Sequence, residues 1–520
     1  MSEKFKSLKN SILPLGVLSV TILALVLYTF LYLNHLMHSD MAAEVILSKL
    51  LAERGEWIST EWFYSTEIRI LYTQLVMTPL FWIFSDFHTV KVLSILIFLL
   101  LLLAAGVFMK RTFRLSALSG GIVLMLLFSP WSNEYLDMMF LGNFYTPQTI
   151  LMFVFLGMSF HVWKKKLTKG IALSFLAILS VLLGLSGLRY PACLFAPLFL
   201  ALLWDLILEG MQDRADPFFG IGGKLLQTGV LGAFAGTGFL IHKGYLAKHY
   251  SFDQTPVTFV PISEVWDRAL GSVRQMLEFF GYRDGVSMMS GLGLVNVVKC
   301  GFLILFVYMI IRLYQRRKEL LDRRERVFLY YFIFLFLINL YMLVFTTVLM
   351  QYRYWIPVFI VGIYLVGLYL DRAKPVKALQ KQLLVLCLCA AAASSLYGEL
   401  WQDVKFDDCA KREGYMAFLE KEGYTFGYAT FWNGPVTEYL SNGKIHVGNL
   451  GPENRPYEWL TPKSYYKKGY HTGKTFLLLA RTEEAGMLNG DFTVMEDGRC
   501  VYQDEYYAVY EGEGMYVLSK

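Results

Sequence analysis

The chain has little charge for its length. Of its 520 residues, 17% are Asp, Glu, Lys or Arg and 56% are hydrophobic, and the mean hydropathy is +0.45. A soluble chain carries about 25% charged residues and does not contain repeated apolar runs of about 18 residues or more. The composition therefore excludes a soluble globular protein and predicts a polytopic α-helical membrane protein.

Three further absences narrow the function. No paired CxxC spacing occurs among the six cysteines, so a cysteine metal site is not indicated. The net charge of +6 comes from short basic clusters between apolar runs, which is typical of membrane topology and not of nucleic-acid binding. A cleavable leader is not evident either, because the first apolar run, 11–33, is too long for one. We expect that run to be retained as the first span.

The apolar runs predict about eleven transmembrane helices, near 11–34, 90–109, 116–131, 147–163, 170–187, 191–208, 225–243, 291–313, 327–350, 355–371 and 382–398. Basic clusters follow alternate spans, at 110–114, 164–169, 312–326 and 372–381. The positive-inside rule then places the N-terminus in the cytoplasm. The prediction is a multi-pass protein of the cytoplasmic membrane, with long outer loops at 35–89 and 244–290.

An odd number of spans places the tail outside the cell. We therefore predict a transmembrane domain at 1–398 and a small extracytoplasmic α/β domain at 399–520. Strand-like segments occur at 427–431, 444–447, 474–480, 505–510 and 515–518, with a helical turn at 436–440. Cys409 and Cys500 are the cysteines of this domain, and they could pair in an oxidising compartment.

The first span ends in an acidic segment. Ser39 or Asp40 is expected to cap a helix over 41–54, and Asp40 and Glu44 then lie on one face of it, four residues apart. Such a pair could share a proton, a metal ion or a substrate hydroxyl. The alternative is a helix cap followed by a solvated helix face.

Three arginines lie at the outer ends of predicted helices, on the side of Asp40. They are Arg69, Arg189 and Arg353. Arginine forms bidentate pairs with phosphate, so these residues are candidates for holding a lipid phosphate. Alternatively, they extend to the outer headgroups or pair with Glu67 or Asp137. The glycines and proline around Arg189 indicate a broken or re-entrant segment.

Two weaker patterns accompany these residues. Tyr145 and Gln148 start the fourth span with an aromatic, amide-bearing edge, which fits either an interfacial belt or sugar contact. His38, with His35 and Glu44, could bind a divalent ion, although oxygen-rich sites need more ligands than the sequence assigns.

The chain resembles the GT-C superfamily of membrane glycosyltransferases. The likeness lies in the acidic end of the first span, the long first loop, the Arg353-Tyr354 turn and the outer C-terminal domain. The first loop is similar to that of uncharacterised bacterial members with a Ser-Asp…Glu…Trp-x-Tyr-Ser-Thr-Glu-x-Arg pattern. Its residues here are Ser39, Asp40, Glu44, Trp62, Tyr64, Ser65, Thr66, Glu67 and Arg69.

The resemblance implies an inverting glycosyltransferase that uses a polyprenyl-phosphate sugar in the membrane. The acceptor would be an envelope glycan, lipid or protein at the outer face. Asp40 would be the base, with Glu44 or Glu67 as helper. The donor phosphate would be held by Arg69, Arg189 and Arg353, and acceptor or sugar contacts would come from His38, Tyr64, Tyr145 and Gln148.

One departure from the family pattern concerns metal. No adjacent Asp-Asp or Asp-Glu pair follows the first span, so the need for a divalent cation (Mg²⁺ or Mn²⁺) stays open.

Two other functional classes also remain open for this chain. A lipid-linked glycan transporter or flippase would carry ionisable residues near mid-span and internal repeats. A non-catalytic envelope-assembly protein would not need Asp40 and the arginines together.

Overall fold

The computed structural model describes residues 2–163, 169–209, 221–253, 255–373, 378–401, 408–451, 455–484 and 499–514. The predicted last strand, 515–518, lies outside this part of the chain. The α-helices in chain order are α1 Ser2–Tyr32, α2 Ser39–Arg54, α3 Gln74–Phe81, α4 Phe87–Thr112, α5 Ala117–Phe128, α6 Asn133–Leu136, α7 Thr146–Val162, α8 Lys169–Gly184, α9 Ala196–Glu209, α10 Ile221–Ile241, α11 Ala247–His249, α12 Ile262–Phe279, α13 Gly291–Gln315, α14 Arg317–Leu320, α15 Arg323–Phe345, α16 Ile356–Arg372, α17 Ala378–Ser395, α18 Asp408–Lys421 and α19 Gly434–Leu440.

Short strands complete the described structure. They are β1 Trp62–Phe63, β2 Phe426–Ala429, β3 His446–Asn449, β4 Thr461–Pro462, β5 Lys474–Ala480, β6 Arg499–Gln503 and β7 Tyr507–Glu513. Single π-helical turns extend several helices, at Asp137–Leu141, Pro191–Phe195, His242–Leu246 and Leu396–Trp401. Short 3₁₀ turns occur at Tyr352–Trp355 and Lys463–Tyr466.

The helices confirm a polytopic membrane protein. Within the described residues, eight helices are long and apolar enough to cross a membrane, and a bent pair at Asn133–Leu141 and Thr146–Val162 raises this to nine. Two shorter apolar helices, Ala117–Phe128 and Gly170–Gly184, coincide with other predicted spans. The predicted count of eleven crossings stays a prediction.

Two compact units make up the chain, and each is built from separated segments. The helical unit comprises Met1–Tyr28, Phe98–Ile241 and Pro256–Asp403. The loop–sheet unit comprises Thr29–Ile97, His242–Thr255 and Val404–Lys520. The predicted domain boundary at 398/399 stays a prediction.

Two glycines allow α8 and α10 of the helical unit to pack closely against each other. A Cβ atom on Gly184 in α8 would overlap the carbonyl oxygen of Ala235 in α10, and one on Gly238 would overlap that of Val181. Apolar residues gain little from leaving lipid, so membrane helices associate through close backbone packing at small residues. The α8–α10 contact therefore depends on having no side chain at these two positions.

A mixed sheet forms the core of the loop–sheet unit, with strand order β3-β2-β5-β7-β6. β2 pairs in parallel with β3 and β5, whereas β7 pairs antiparallel with β5 and β6. The first loop joins this unit through β1, which pairs antiparallel with β4 so that Trp62 faces Pro462 and Phe63 faces Thr461. Phe63 lies in one apolar core with Tyr428 and Tyr466.

The glycine contact gives a stability prediction. Gly238→Ala should lower the free energy of unfolding by about 1–3 kcal/mol, because the methyl group must displace backbone. The matched control is Gly236→Ala on the same helix, where an added Cβ meets no atom within 4 Å. Thermal melts in detergent should rank Gly238→Ala below wild type and Gly236→Ala at or above it. Equal melting temperatures for the two variants would contradict the packing argument.

Candidate active site

The acidic end of the first span leads directly into α2. The helix begins at Ser39 with His38 as its N-cap, and the His38 side chain forms no capping hydrogen bond. The predicted cap by Ser39 or Asp40 is therefore wrong. Asp40 and Glu44 both lie inside the helix, one turn apart, so neither is occupied as a cap.

Glu44 is a buried carboxylate with a defined partner. Its Oε2 atom accepts a hydrogen bond of 2.7 Å from Thr73 Oγ1, and the contact is buried. Burial raises the pKa of Glu44, while Arg69, Thr73 and Lys91 act in the opposite direction and Asp40 adds to the rise. Two carboxylates and two cations thus share one site in the loop–sheet unit.

Arg69 is held by several partners within the first loop. Its Nε atom lies 3.0 Å from Glu67 Oε1, and its guanidinium lies 4.5 Å from the centre of the Tyr72 ring. Arg69 also donates to the Tyr72 hydroxyl. The pairing with Glu67 is the alternative that the sequence left open. It fixes the guanidinium close enough to Glu44 to favour the ionised form of that carboxylate.

Lys91 is the member of this group that the sequence reasoning missed. It lies in the second turn of α4, on a helix apolar enough to span the membrane, and only 1% of it is exposed. A lysine this deeply buried requires compensating charge. The signal was present in the sequence, because a charged residue inside a predicted span is costly and usually functional.

Other predicted first-loop residues have local roles. The Tyr64 hydroxyl accepts a hydrogen bond of 2.8 Å from the Ser59 backbone N–H, and its ring packs edge-on against Tyr250. Burial raises the pKa of Tyr64. His38 is half-buried at the start of α2. The contacts of Tyr64 therefore stabilise the first loop. The predicted contact of Tyr64 and His38 with an acceptor or sugar stays a prediction.

In the helical unit, three predicted residues meet. Arg189 Nη1 donates to Gln148 Oε1 at 3.2 Å, and the guanidinium lies 5.1 Å from the centre of the Tyr145 ring. Gln148 also contacts Cys193 through its Nε2 atom at 3.3 Å. From the sequence, Arg189 was predicted as a phosphate ligand, and Tyr145 and Gln148 were predicted as sugar contacts. In the fold these three residues lie together in one group.

The helical unit is interrupted near Arg189, and a sharper bend lies elsewhere in the chain. Residues 185–188 form a turn after α8, with Gly187 at φ +82°, and the chain is helical again from Arg189 into the π-helical turn at Pro191–Phe195. The bent helix pair is at Asn133–Leu141 and Thr146–Val162, with an angle of 72°. Asn143, at φ +62°, lies within this bend.

Arg353 lies beside an apolar cleft of the helical unit. Its Nη1 atom is 3.5 Å from Glu134 Oε1, and it belongs to the 3₁₀ turn that leads into α16. The next-but-one residue, Trp355, lines an open cleft whose other walls are mainly aromatic and aliphatic. The buried Trp355 indole N–H has no hydrogen-bond partner among the described residues.

Neither the metal nor the disulfide prediction is settled by the described side chains. Among them, no group of three or more His, Cys, Asp or Glu residues could hold a metal ion. Cys500 is an exposed free thiol, and the side chain of Cys409 lies outside the described residues. A divalent-cation requirement and the Cys409–Cys500 pair stay predictions.

Comparisons with known proteins bear on the fold. No model of a known protein family matches the chain, and no curated protein matches it. The crystal structure of ArnT from Cupriavidus metallidurans bound to undecaprenyl phosphate aligns with a TM-score of 0.58 at 13% identity, covering 95% of this chain and 97% of that one. The apo state of the same protein gives 0.57 at 12% identity, covering 95% and 98%. The chain has a GT-C fold, which confirms the predicted resemblance.

Two threonines of the first loop, one as the test and one as its control, allow the hydrogen bond to Glu44 to be tested. Thr73→Val removes the hydroxyl that bonds the buried Glu44, and should lower the free energy of unfolding by about 1–3 kcal/mol. Thr78 is the control, because its buried hydroxyl has no hydrogen-bond partner among the described residues, and Thr78→Val should be neutral or stabilising. Melting curves of the purified variants compare them. A Thr73→Val protein as stable as wild type would show that the contact does not hold Glu44.

Proposed function

We propose that the protein transfers a sugar from a polyprenyl-phosphate-linked donor to an acceptor at the extracytoplasmic face of the membrane. The observation that carries the proposal is the group of Asp40, Glu44, Arg69 and Lys91 at the end of the first span. Buried and half-buried charges at a membrane face are expensive, and such groups are usually functional. The GT-C fold, shared with an ArnT structure bound to undecaprenyl phosphate, supports the same reaction class.

In this mechanism Asp40 is the general base. It takes the proton of the acceptor hydroxyl as the oxygen attacks the anomeric carbon of the donor sugar. The bond between that carbon and the phosphate oxygen breaks with inversion, and the lipid phosphate leaves with both electrons. Asp40 suits this role better than Glu44, because burial favours the neutral form of Glu44 and its Oε2 is already bonded to Thr73.

Cations stabilise the leaving group. Charge develops on the phosphate as the glycosyl bond breaks, and fixed positive groups lower the energy of that state. Arg69 and Lys91 supply such charge in the loop–sheet unit, and Glu67 orients Arg69. The phosphate role that we assign to Arg189 rests on its outer position and on its contacts with Tyr145 and Gln148.

The donor lipid is assigned to the apolar cleft of the helical unit. A polyprenyl chain needs an apolar surface at membrane depth, and its phosphate needs a cation at the interface. The cleft offers the first through Phe279, Phe306 and Phe359, and Arg353 in the turn beside Trp355 offers the second.

Orientation follows from the basic clusters. The positive-inside rule puts the N-terminus in the cytoplasm and the first loop, with Asp40, outside. The C-terminal region, including β2 to β7, is then extracytoplasmic. An acceptor at that face would be an envelope glycan, lipid or protein.

Replacing Asp40 tests the proposal. In cells whose only copy carries Asp40→Asn, transfer should fall by about 10²–10⁴-fold, because the amide cannot take the proton. The sugar-charged polyprenyl phosphate should therefore accumulate in the membrane, where mass spectrometry of extracted lipids measures it. Glu56→Gln is the control, since Glu56 lies in the same loop and pairs with Arg54 near the surface.

The donor level in the two variants decides whether Asp40 is the base. Accumulation in the Asp40→Asn cells, with wild-type donor levels in the Glu56→Gln cells, supports transfer with Asp40 as base. Donor levels that are unchanged in Asp40→Asn cells, with the protein present in the membrane at normal amount, would remove the base assignment.

A further inference from the structure

The aromatic side chains at one edge of the C-terminal sheet, of which Trp432 and Tyr457 are exposed, have no role in the mechanism above. We propose that they bind a sugar ring of the acceptor, so that the acceptor is a saccharide. We call Phe431, Trp432, Tyr457 and Trp459 the aromatic cluster. The inference rests on the proposed function and adds the class of its second substrate.

The position of the aromatic cluster follows from the sheet. β2, β3 and β5 are parallel, so their carboxyl ends lie at one edge. The chain leaves β2 through α19 towards β3, whereas after β5 it continues to the strands on the opposite side. Ligands of open α/β sheets bind outside the carboxyl ends of strands where such connections diverge. Phe431 and Trp432 follow β2 directly, and the Tyr457 backbone N–H bonds the carbonyl of Asn449 at the end of β3.

The rings of the cluster adjoin one another, and all of them except the buried Phe431 are partly open to solvent. Ring centres lie 5.4 Å apart for Phe431 and Trp432, 6.1 Å for Phe431 and Tyr457, and 6.4 Å for Tyr457 and Trp459. Trp432 is 67% exposed and Tyr457 is 41% exposed. Large aromatic surfaces left in water on a folded domain mark binding sites more often than isolated exposed residues do. The apolar face of a sugar ring stacks on such rings.

A polar network borders the aromatic cluster. Thr430 Oγ1 donates to Glu483 Oε1 at 2.9 Å, and Asn433 Nδ2 donates to Glu483 Oε2 at 3.2 Å. The Ala480 N–H also bonds Glu483 Oε2, at 3.1 Å. The network fixes the loop that carries Phe431 and Trp432. A carboxylate beside aromatic rings suits a ligand with hydroxyl groups to donate.

Tyr457 of the cluster also lies within electrostatic range of the proposed base. Tyr457 belongs to the same loop–sheet unit as Asp40 and Asp253. Burial raises the pKa of Tyr457, and the carboxylates of Asp253 and Asp40 are close enough to raise it further. Carboxylates at this end of the cluster repel anionic headgroups, which favours a saccharide over a lipid surface as the occupant.

The binding arm of the test uses the full chain in phosphatidylcholine nanodiscs. Saturation-transfer NMR with chitotriose, maltotriose and xylotriose should detect binding of at least one of them. Trp432→Ala and Tyr457→Ala should each weaken that binding about tenfold. Matched controls in the same unit are Trp57→Ala and Tyr506→Ala, whose parent residues are 63% and 42% exposed, and these should bind like wild type.

Three results of this arm would overturn the inference. The first is that none of the three saccharides binds to wild type, and the second is that binding survives both cluster variants. The third is that brominated lipids quench more tryptophan fluorescence in wild type than in Trp432→Phe, which would identify the cluster as a membrane contact. Melting curves check that each variant is folded, and Trp432→Phe should retain most of the binding because it keeps a ring.

A cell-based arm separates this inference from the proposed function. Trp432→Ala combined with Tyr457→Ala should cause donor lipid to accumulate, as Asp40→Asn does, because an unbound acceptor takes no sugar. Accumulation in Asp40→Asn cells alone would refute the acceptor site and leave the proposed function standing. If Asp40→Asn cells do not accumulate the donor, the proposed function fails whatever the saccharides do.

Discussion

The burial of the Glu44 carboxyl group sets the chemistry of the first loop. A carboxylate removed from water needs partners, and here Thr73 donates to it while Arg69 and Lys91 supply positive charge. These cations are drawn from the loop and from the second span, so Glu44 ties both to α2. Asp40 lies one helical turn earlier and raises the pKa of Glu44 further, and it is the residue that we propose as the base.

The residues around Glu44 keep their positions only if the first loop is held in place. Within the loop–sheet unit, the C-terminal region holds it. β1 pairs with β4, the Lys463 N–H bonds the Glu61 carbonyl at 2.8 Å, and the Phe87 N–H bonds Asn442 Oδ1 at 2.8 Å. A site held from several sides keeps its geometry better than one on a free loop. The small sheet therefore positions the first loop, and through the aromatic cluster it also offers a surface for an acceptor.

Hydrophobic runs and basic clusters were enough to predict the helical architecture. Each of the predicted apolar segments coincides with a described helix or helix pair, and five of the strand and turn predictions in the tail coincide with β2, α19, β3, β5 and β7. The contacts among the residues of the candidate site could not be predicted from hydrophobic runs and basic clusters. The bond from Thr73 to Glu44 and the proximity of Lys91 arise only when distant segments fold together. The failed cap has a local cause, since His38 and not Ser39 takes the extended N-cap conformation.

The most direct test of the account is whether a polyprenyl phosphate binds the protein. Undecaprenyl phosphate added to the purified full chain in detergent should raise its melting temperature, since a ligand at about 100 times Kd stabilises by about 2.7 kcal/mol. The account predicts that Arg353→Ala abolishes the shift. Arg274→Ala, which removes an arginine paired with Glu278 at the surface, should retain it. Equal shifts with undecaprenol and undecaprenyl phosphate, or none with either, would contradict a lipid-phosphate donor.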